Sequence, residues 1–379
     1  MHRPFKLGSA LFWSALLLFC LTGSRPPDPP AAVIDLNPPN RPPIIAAWLR
    51  GARAASGPIV VTVASHVNSY SEVSAFSYTI ERDGSLTANN PVRDAVLVDF
   101  ARLNGIRVVP TISSTWEATS ITHVLQDPTL RAAHINAILQ VARSPLVDGI
   151  DLDYENLPPD ARQAFTDFVT SLASLLHREG KTLSVTVPPK VSDDDACVIC
   201  RFSDYAALGV AADQIRIMAY EFHGKNGGPG PDAPIWWIRQ VASYAVSRIP
   251  REKIILGIHL YAYDWGGKET TAMWWSDVQA LKKRYGGEVH YVDMDANGVV
   301  GESVLTYSVP GPRCPRHSLD CDPPPPEDHT VWFVDARYVR ASWDLVKEFR
   351  LGGIVLWRPG GEDPAIWDVL KPSSSIAAH

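Results

Sequence analysis

The sequence predicts an α/β fold, a (β/α)₈ TIM barrel with a small α+β insertion between its seventh and eighth strands. Three observations support this fold class. From residue 59 onward, short runs rich in β-branched residues alternate with helical patterns. Several of these runs are apolar on both faces, as parallel strands covered by helices must be. Eight such units in series favour a closed barrel. An open doubly wound sheet is the alternative, weakened because no glycine-rich turn follows the first predicted strand.

The predicted strands are short and are distributed along most of the chain. They cover residues 59–65, 76–80, 106–113, 147–154, 183–188, 214–220, 254–260 and 353–357. Between them, Asn90 precedes Pro91 and Asp127 precedes Pro128, which predicts two helices that begin with a capping side chain followed by proline. Residues 161–178 carry apolar side chains at helical spacing and predict a long amphipathic helix.

The first 24 residues have the pattern of an export signal. His2, Arg3 and Lys6 give a cationic start, residues 10–21 form an apolar run too short to cross a bilayer comfortably, and small residues follow. An uncleaved N-terminal anchor is the alternative. We therefore expect residues 1–24 to be a signal peptide, residues 25–43 a proline-rich linker and residues 44–371 the barrel. The protein is then secreted, or held at the cell surface or in the periplasm.

The composition argues against several other classes of protein. Hydrophobic residues make up 46% of the 379-residue chain and charged residues 20%, which is typical of a globular protein and not of a disordered one. The formal net charge is −6 and no run of Lys and Arg is present, so we expect no nucleic-acid partner. No later stretch is long and apolar enough to cross a membrane. We expect a monomer that needs no cofactor and inserts in no membrane after signal removal.

Four cysteines remain beyond the predicted signal, an even number that favours two disulfides in an exported chain. The short separations predict the pairs Cys197–Cys200 and Cys314–Cys321. A zinc site made of four thiolates is the alternative. An oxidising compartment disfavours it, and so does the lack of a second closely spaced Cys-x-x-Cys pair.

The segment from about residue 265 to 335 is too long for a simple loop and predicts the α+β insertion. It contains a predicted helix over Trp275–Tyr285 and alternating runs at 289–293 and 331–334. Asp293, Asp295, Asn297 and Gly298 resemble the start of a calcium loop. The position that would supply the bidentate glutamate is Val304, so the match fails and an Asn-Gly turn is the better interpretation.

The residues that indicate chemistry lie in the run from Asp148 to Glu155. Because strand side chains alternate, Asp151, Asp153 and Glu155 share one face and point into a barrel that we expect to be otherwise apolar. Crowded carboxyl groups raise one another's pKa, so at least one keeps a proton, as a general acid must. Glu155 comes last, at the end of the strand where barrel active sites lie. A carboxylate-based hydrolase is predicted; a solvated acidic loop and a metal cluster are the alternatives.

The run also matches the four-acid pattern Asp-x-x-Asp-x-Asp-x-Glu, and on it the chain resembles family 18 of the glycoside hydrolases, the chitinase family. Further segments resemble the bacterial spore-cortex and cell-wall branch of that family, whose members are N-acetylglucosaminidases. These segments are residues 156–158, 183–190, 217–221, 255–265 and 352–364. The resemblance extends over nearly the whole chain after the signal. It implies a glycosidase that cleaves β-1,4-linked N-acetylglucosamine polymers, either peptidoglycan or chitin oligomers, with no metal.

The resemblance implies a substrate-assisted retaining mechanism. Glu155 protonates the glycosidic oxygen, and the N-acetyl carbonyl of the sugar attacks the anomeric carbon. Asp153 accepts a hydrogen bond from the acetamido N–H and stabilises the developing positive charge. Asp151 lies beneath and shares a proton with Asp153, and Asp148 supports the strand.

The resemblance also implies roles for residues on other strands. Tyr220 contacts the acetamido group, and Trp357 forms the floor on which the sugar stacks; without the motif, each would be a packing aromatic. Met218 and Glu221 are further substrate-binding candidates. So is Tyr261, with packing against the insertion as its alternative.

One departure from the family pattern affects the choice of function. The family usually has aspartate where this chain has Glu221, which leaves rate and substrate choice open. A catalytically weak or silent lectin on the same barrel is one alternative function, disfavoured because Glu155 is present. An endo-β-N-acetylglucosaminidase that acts on N-linked glycans is the other.

Overall fold

The computed structural model describes residues 42–50, 59–114, 118–193, 197–267, 269–312, 322 and 324–371, without the side chains of residues 92 and 118–120. Its strands are β1 (Ile44–Leu49), β2 (Glu72–Ile80), β3 (Leu86–Ala88), β4 (Arg107–Val108), β5 (Thr111–Ser113), β6 (Gly149–Asp153), β7 (Thr182–Val187), β8 (Gln214–Ile217), β9 (Ile254–His259), β10 (Ala262–Trp265), β11 (Thr271–Met273), β12 (Glu288–His290), β13 (Ser303–Val309), β14 (Glu327–Phe333) and β15 (Gly353–Trp357).

The main sheet closes on itself and confirms the predicted barrel. Its parallel strands follow the order β1, β2, β4 with β5, β6, β7, β8, β9 and β15, and β15 pairs again with β1. Strands β4 and β5 form one barrel strand that is interrupted at Val109 and Pro110. Proline lacks the N–H that a sheet ladder requires, which explains the interruption.

The first predicted strand, residues 59–65, is wrong. The structure has helix α1 over Ile59–Ala64, with Ile59 and Val63 buried four positions apart on one face. The first barrel strand is β1, whose last five residues are all buried. The β-branched composition of 59–65 favours a strand, but an amphipathic helix that covers the barrel is the packing that prevails, because tertiary contacts override intrinsic propensity.

Helices connect the barrel strands and cover the outer face of the barrel. They are α1 (Ile59–Ala64), α2 (Pro91–Leu103), α3 (Ala118–Gln126), α4 (Pro128–Ala142), α5 (Arg162–Arg178), α6 (Tyr205–Ala211), α7 (Ile235–Val246), α8 (Trp275–Tyr285), α9 (Ala336–Phe349) and α10 (Ile366–Val369). Both predicted caps are confirmed: Asn90 accepts a hydrogen bond from the N–H of Arg93, and Asp127 accepts from those of Thr129 and Leu130. Local sequence therefore determines where α2 and α4 begin.

A second sheet lies between β9 and α9 in the chain. It is antiparallel, in the order β11, β10, β14, β13 and β12, and α8 packs against it. Its own small core includes Val278, Leu305, Val331 and Phe333. Residues 295–298 form a turn in which the N–H of Gly298 donates to the carbonyl of Asp295. The small sheet stands beside the end of β9, next to the barrel mouth.

The barrel interior is not uniformly apolar, contrary to expectation. Toward β1, β9 and β15 it is filled by apolar side chains, among them Trp48, Ile255 and Val355. Toward β5, β6, β7 and β8 it is polar, and its fully buried groups include Arg216. Buried polar groups must be paired to be tolerated. The acidic run therefore enters a prepared polar environment.

The disulfide Cys197–Cys200 is present in the loop before α6, as predicted. Cys314 and Cys321 lie outside the described residues, as do the predicted signal and almost all of the predicted linker. Across the part of the chain that the structure describes, no helix has the length and apolarity needed to cross a bilayer.

Candidate active site

Strand β6 carries the acidic run and presents it to the barrel interior. Asp151 is fully buried and Asp153 is 5% exposed, whereas Glu155 follows the strand by two residues and reaches the open barrel mouth. The strand is held from outside by Tyr154, whose hydroxyl lies 2.6 Å from Nε2 of His134, and by the 2.7 Å contact of Nδ1 of His134 with the carbonyl of Gly84. The alternation of β6 thus separates a structural face from an acidic face.

Asp151 is surrounded by hydrogen-bond donors. Its Oδ2 accepts from Nε1 of Trp48 at 2.9 Å and from the hydroxyl of Thr111 at 2.8 Å. Its Oδ1 accepts from the hydroxyl of Ser184 at 2.9 Å. The guanidinium of Arg216 lies 3.3 Å from Oδ2 and completes the environment. Both oxygens of Asp151 therefore accept hydrogen bonds, and a buried cation lies beside them.

Asp153 has the opposite environment. Its Oδ1 is buried and receives no hydrogen bond from any residue that the structure describes. Burial raises the pKa of Asp153 well above its usual range, and the neighbouring Glu155 and Asp151 carboxyl groups raise it further, opposed by Arg50. Both effects favour the protonated form of Asp153.

Glu155 faces the cleft, with its backbone N–H donating to the hydroxyl of Ser114 at 3.3 Å. Although part of its side chain is exposed, surrounding protein removes water from its carboxyl group and raises the pKa of Glu155. The Glu221 carboxylate raises it further, and Arg50 opposes both effects. A raised pKa keeps a carboxyl group available as a proton donor near neutral pH.

The end of β8 brings the next set of predicted residues to the mouth. Tyr220 is buried, and its pKa is raised well above the usual range by burial and by the carboxyl groups of Glu155 and Asp153. Met218 packs with Trp357 in the apolar half of the barrel. Glu221 has φ of 67°, a left-handed conformation uncommon outside glycine, and Tyr263 lies 3.5 Å from its carboxylate. The structure thus brings Glu221 to the same face as Glu155.

A buried cluster behind Glu221 involves Tyr261, Asp232, His259 and Glu302. The hydroxyl of Tyr261 donates to Asp232 at 3.0 Å, and Glu302 accepts from the backbone N–H of Asp232 at 3.1 Å. His259 lies 3.6 Å from both carboxyl groups, and burial lowers its pKa to about 3. Burial and repulsion by Glu221 raise the pKa of Asp232 to about 7. This cluster supports the loop that carries Glu221.

Two cavities flank Glu155 and Glu221. A cavity of about 40 Å³ is lined by Arg50, Phe76, Ser113, Ser114, Asp153, Glu155 and Asn156. A larger cavity of about 470 Å³ lies toward the insertion and is lined by Glu221, Tyr261, Tyr263, Ala272, Met273, Trp274, Asp277, Trp357 and Arg358. Aromatic rings beside carboxyl groups suit a sugar, which has apolar ring faces and polar edges.

Trp357 ends β15 and lies half-buried in the larger cavity. Its ring contacts that of Trp48 edge-on, with centroids 6.4 Å apart, and that of Phe76 with centroids 5.4 Å apart. These contacts fix the ring in one orientation and leave part of it open to the cavity. A fixed aromatic surface loses little entropy when a sugar stacks on it.

The remaining predicted residues divide between the mouth and the opposite end of the barrel. Tyr261 lines the larger cavity and also bonds to Asp232. Asp148 lies at the far end of β6, where Oδ2 accepts from the N–H of Val108 at 2.8 Å and Oδ1 accepts from Arg102 at 3.3 Å. Asp148 therefore joins β6 to β4 and is remote from the cleft. No group of three or more His, Cys, Asp or Glu side chains within the described ranges is arranged to hold a metal ion.

Sequence reasoning missed the residues that compensate the acidic strand. Ser184 and Thr186 alternate with apolar residues in β7, and this period-two pattern indicates an inward polar face. Arg216 stands between Ile215 and Ile217 in a buried strand, which also indicates a buried partner charge. Asp232 lies in a loop and has no comparable pattern.

The chain is similar to known glycoside hydrolases. The sequence model of the family described as Glycosyl hydrolases family 18 matches residues 73–362. The Cortical fragment-lytic enzyme of Bacillus subtilis (strain 168) is 28% identical over 309 residues, which cover 80% of this chain and 67% of that protein.

Solved structures show the same similarity. The chitinase from Chromobacterium violaceum ATCC 12472 has a TM-score of 0.76 and 27% identity, over 89% of this chain and 100% of that one. The Bacillus cereus spore cortex-lytic enzyme SleL has a TM-score of 0.73 and 26% identity, over 86% of this chain and 73% of that one.

The raised pKa of Asp232 predicts a pH-dependent stability. Asp232 ionises near pH 4 in the unfolded chain and near pH 7 in the folded chain. Between these values the folded chain binds more protons, so the contribution of Asp232 to the unfolding free energy falls as pH rises from about 4 to about 7. We expect Asp232→Asn to flatten the fall in unfolding free energy between about pH 4 and pH 7, measured by urea unfolding at several pH values. Tyr261→Phe removes a hydrogen bond that lowers this pKa and should steepen the fall. An equal pH dependence in all three proteins would contradict the assignment.

Proposed function

We propose that this chain, which belongs to family 18 of the glycosyl hydrolases and is therefore a glycosidase, cleaves β-1,4-linked polymers that contain N-acetylglucosamine. The observation that supports the proposal most strongly is the arrangement of the three carboxyl groups along β6. Asp151 lies deepest with hydrogen-bond donors on both oxygens. Asp153 lies above it with a pKa that burial raises well above the usual range, and Glu155 reaches the cleft with a raised pKa. The similar proteins are named for spore-cortex lysis and for chitin hydrolysis, so peptidoglycan and chitin oligomers are the two candidate substrates.

Glu155 serves as the general acid and then as the general base. It donates its proton to the glycosidic oxygen as the bond to the anomeric carbon breaks, and the resulting carboxylate later takes a proton from water. Glu221 assists the first step, since its negative charge opposes ionisation of Glu155 in the free enzyme. The side chain of Glu221 is longer than that of the family aspartate, and its carboxyl group still lies close enough to Glu155 to raise the pKa of that residue.

The nucleophile is the N-acetyl carbonyl oxygen of the substrate. Its attack on the anomeric carbon forms an oxazolinium ion and keeps the overall configuration, and water then opens the ring. Asp153 is poorly suited to be the nucleophile because a buried, protonated carboxyl group has little tendency to form a bond to carbon. It instead accepts a hydrogen bond from the acetamido N–H and orients the group for attack.

Tyr220 and Trp357 complete the proposed sugar site. The Tyr220 hydroxyl stays protonated across the working pH range, because burial and the adjacent carboxyl groups oppose its ionisation. It is therefore available to donate a hydrogen bond to the acetamido oxygen. Trp357 provides the flat apolar surface beneath the ring.

Glu155→Gln should abolish turnover with little effect on folding or sugar binding, because the amide cannot donate a proton as an acid does. We expect a loss of about 10³-fold or more in kcat. The measurement is hydrolysis of a fluorogenic N,N′-diacetylchitobioside and of purified peptidoglycan. Glu179→Gln is a matched surface control, because Glu179 pairs with Arg143 away from the cleft.

Three outcomes would contradict the proposal. Full activity of a folded Glu155→Gln protein would remove Glu155 from the acid role. Oligosaccharide binding without hydrolysis of either substrate by the wild type would favour the lectin alternative, and release of an intact N-linked glycan would favour the endoglycosidase alternative.

Asp153→Asn should lower kcat by about two orders of magnitude, since the hydrogen bond that orients the acetamido group is weakened. The comparison substrate is a glycoside with a hydroxyl group in place of the acetamido group, on which wild type and variant should be equally poor. A variant that keeps wild-type kcat on the N-acetyl substrate would show that the mechanism does not use that group.

We also propose that the enzyme acts outside the cytoplasm. The pattern of residues 1–24 supports export, and the Cys197–Cys200 disulfide suits an oxidising compartment. N-terminal sequencing of protein recovered from the native host should give a chain that begins after about residue 24. Recovery of the uncut chain from membranes would instead favour the anchor, and recovery from cytosol would overturn export.

A further inference from the structure

Arg216 is a charged side chain at the centre of the barrel with no exposure to solvent. Its Nη1 donates to the hydroxyl of Ser74 at 2.7 Å, and its Nε donates to Oε1 of Gln214 at 3.2 Å. Its Nη2 forms a close ion pair with Glu72, which is also buried. The same guanidinium lies 3.3 Å from Oδ2 of Asp151. Arg216 thus stands between two buried carboxylates on different strands.

We infer that Arg216, held in place by Glu72, is a positioning residue that keeps Asp151 ionised and thereby confines the proton of the acidic strand to Asp153, next to Glu155. The inference rests on the proposed function, because it explains which carboxyl group of the acidic strand carries the proton during the proposed hydrolysis. It adds residues of β8 and β2 that touch neither the cleft nor the sugar.

The chemistry of the guanidinium supports this role. It carries five N–H donors, has no acceptor and does not lose its charge in proteins. A proton on Oδ2 of Asp151 would therefore face a fixed cation, the indole N–H of Trp48 and the hydroxyl of Thr111, whose hydrogen bond to Asp151 would weaken. Protonation of Asp151 is opposed by charge and by hydrogen bonding together.

Glu72 explains how a cation can be buried there. An isolated buried charge costs several kcal/mol, so Arg216 needs a counter-ion besides Asp151. Glu72 accepts from Arg216 and also from Nη1 of Arg107 at 2.8 Å, and Gln214 lies 3.4 Å from the same carboxylate. Positive and negative side chains therefore alternate from the edge of the barrel to the acidic strand, in the order Arg107, Glu72, Arg216 and Asp151.

The charges around the acidic strand point to the same proton position. The groups that face Asp151 and Asp153 are Asp153 and Glu155 on their own segment, Arg216, Tyr220 and Glu221 from β8 and the loop after it, Glu72 from β2, and Arg50 after β1. Arg216 is the cation in contact with Asp151, whereas Arg50 acts on Asp153 and Glu155 at the mouth. A proton therefore finds less opposition on Asp153 than on Asp151.

The test compares variants that change the field on Asp151 in opposite directions. Arg216→Gln removes the cation, so every acid of the strand holds protons more tightly and the pH profile of kcat should move to higher pH by about one unit. Glu72→Gln leaves the cation uncompensated, so the profile should move to lower pH. The double variant carries neither buried charge, and its profile should also move upward. It provides a folded alternative if Arg216→Gln is unstable.

The position of the proton has a direct readout that does not depend on activity. In protein with ¹³C-labelled aspartate carboxyl groups, Asp153→Asn and Asp151→Asn assign the two signals. At neutral pH we expect a protonated Asp153 and an ionised Asp151 in the wild type and in Glu72→Gln. In Arg216→Gln and in the double variant, both signals should move to intermediate positions because the two groups then share the proton.

Arg102→Gln is the matched control, since Arg102 pairs with Asp148 on the same acidic run but at the far end of β6. It should leave the pH profile and both carboxyl signals unchanged. The inference is overturned if Arg216→Gln and Glu72→Gln shift the pH profile in the same direction. It is also overturned if Asp153 stays fully protonated in Arg216→Gln. A wild type that shows the expected carboxyl signals but hydrolyses neither substrate would overturn the proposed function and leave the role of Arg216 intact.

Discussion

The burial of several carboxyl groups on one strand is the constraint on which the rest of the site depends. Burial of a carboxyl group is unfavourable unless the group is paired or protonated, and the surroundings of each acid along β6 differ in this respect. Asp151 lies among the donors Trp48, Thr111 and Ser184 and beside the guanidinium of Arg216. Burial and the neighbouring carboxyl groups instead raise the pKa of Asp153 well above its usual range, and the pKa of Glu155 at the cleft is also raised. Three chemically similar side chains on one strand therefore lie in three different electrostatic environments.

The two halves of the barrel interior differ in polarity. The polar half, on β5 to β8, holds the hydroxyl groups and the guanidinium that contact Asp151. The apolar half, on β1, β2, β9 and β15, packs Trp48, Phe76 and Trp357 into a fixed aromatic group. Trp48 belongs to both, because its ring supports Trp357 while its N–H binds Asp151. A displacement of Trp48 would therefore affect both the orientation of the Trp357 ring and the hydrogen bonding of Asp151.

What the sequence predicted depended on local geometry. The alternation of β6 places Asp151 and Asp153 on one face whatever lies around them, and Asn90 and Asp127 cap their helices through contacts two or three residues away. Arg216 was missed as a partner because its meaning depends on Glu72, 144 positions earlier in the chain. The exchange of a strand for a helix at 59–65 has a similar origin, since both β1 and α1 are short apolar segments and only packing distinguishes them.

The closure of the barrel has a consequence for how the chain assembles. Strand β1 pairs with β15, so the ring is completed by elements from opposite ends of the described fold. During synthesis β1 emerges early and must wait for β15, and until then β1 and β9 remain unpaired sheet edges that invite misassociation. The indole that binds Asp151 and the indole that faces the cleft meet only at this last pairing. A chain that stops before β15 would therefore lack both the closed sheet and the contact between these two rings.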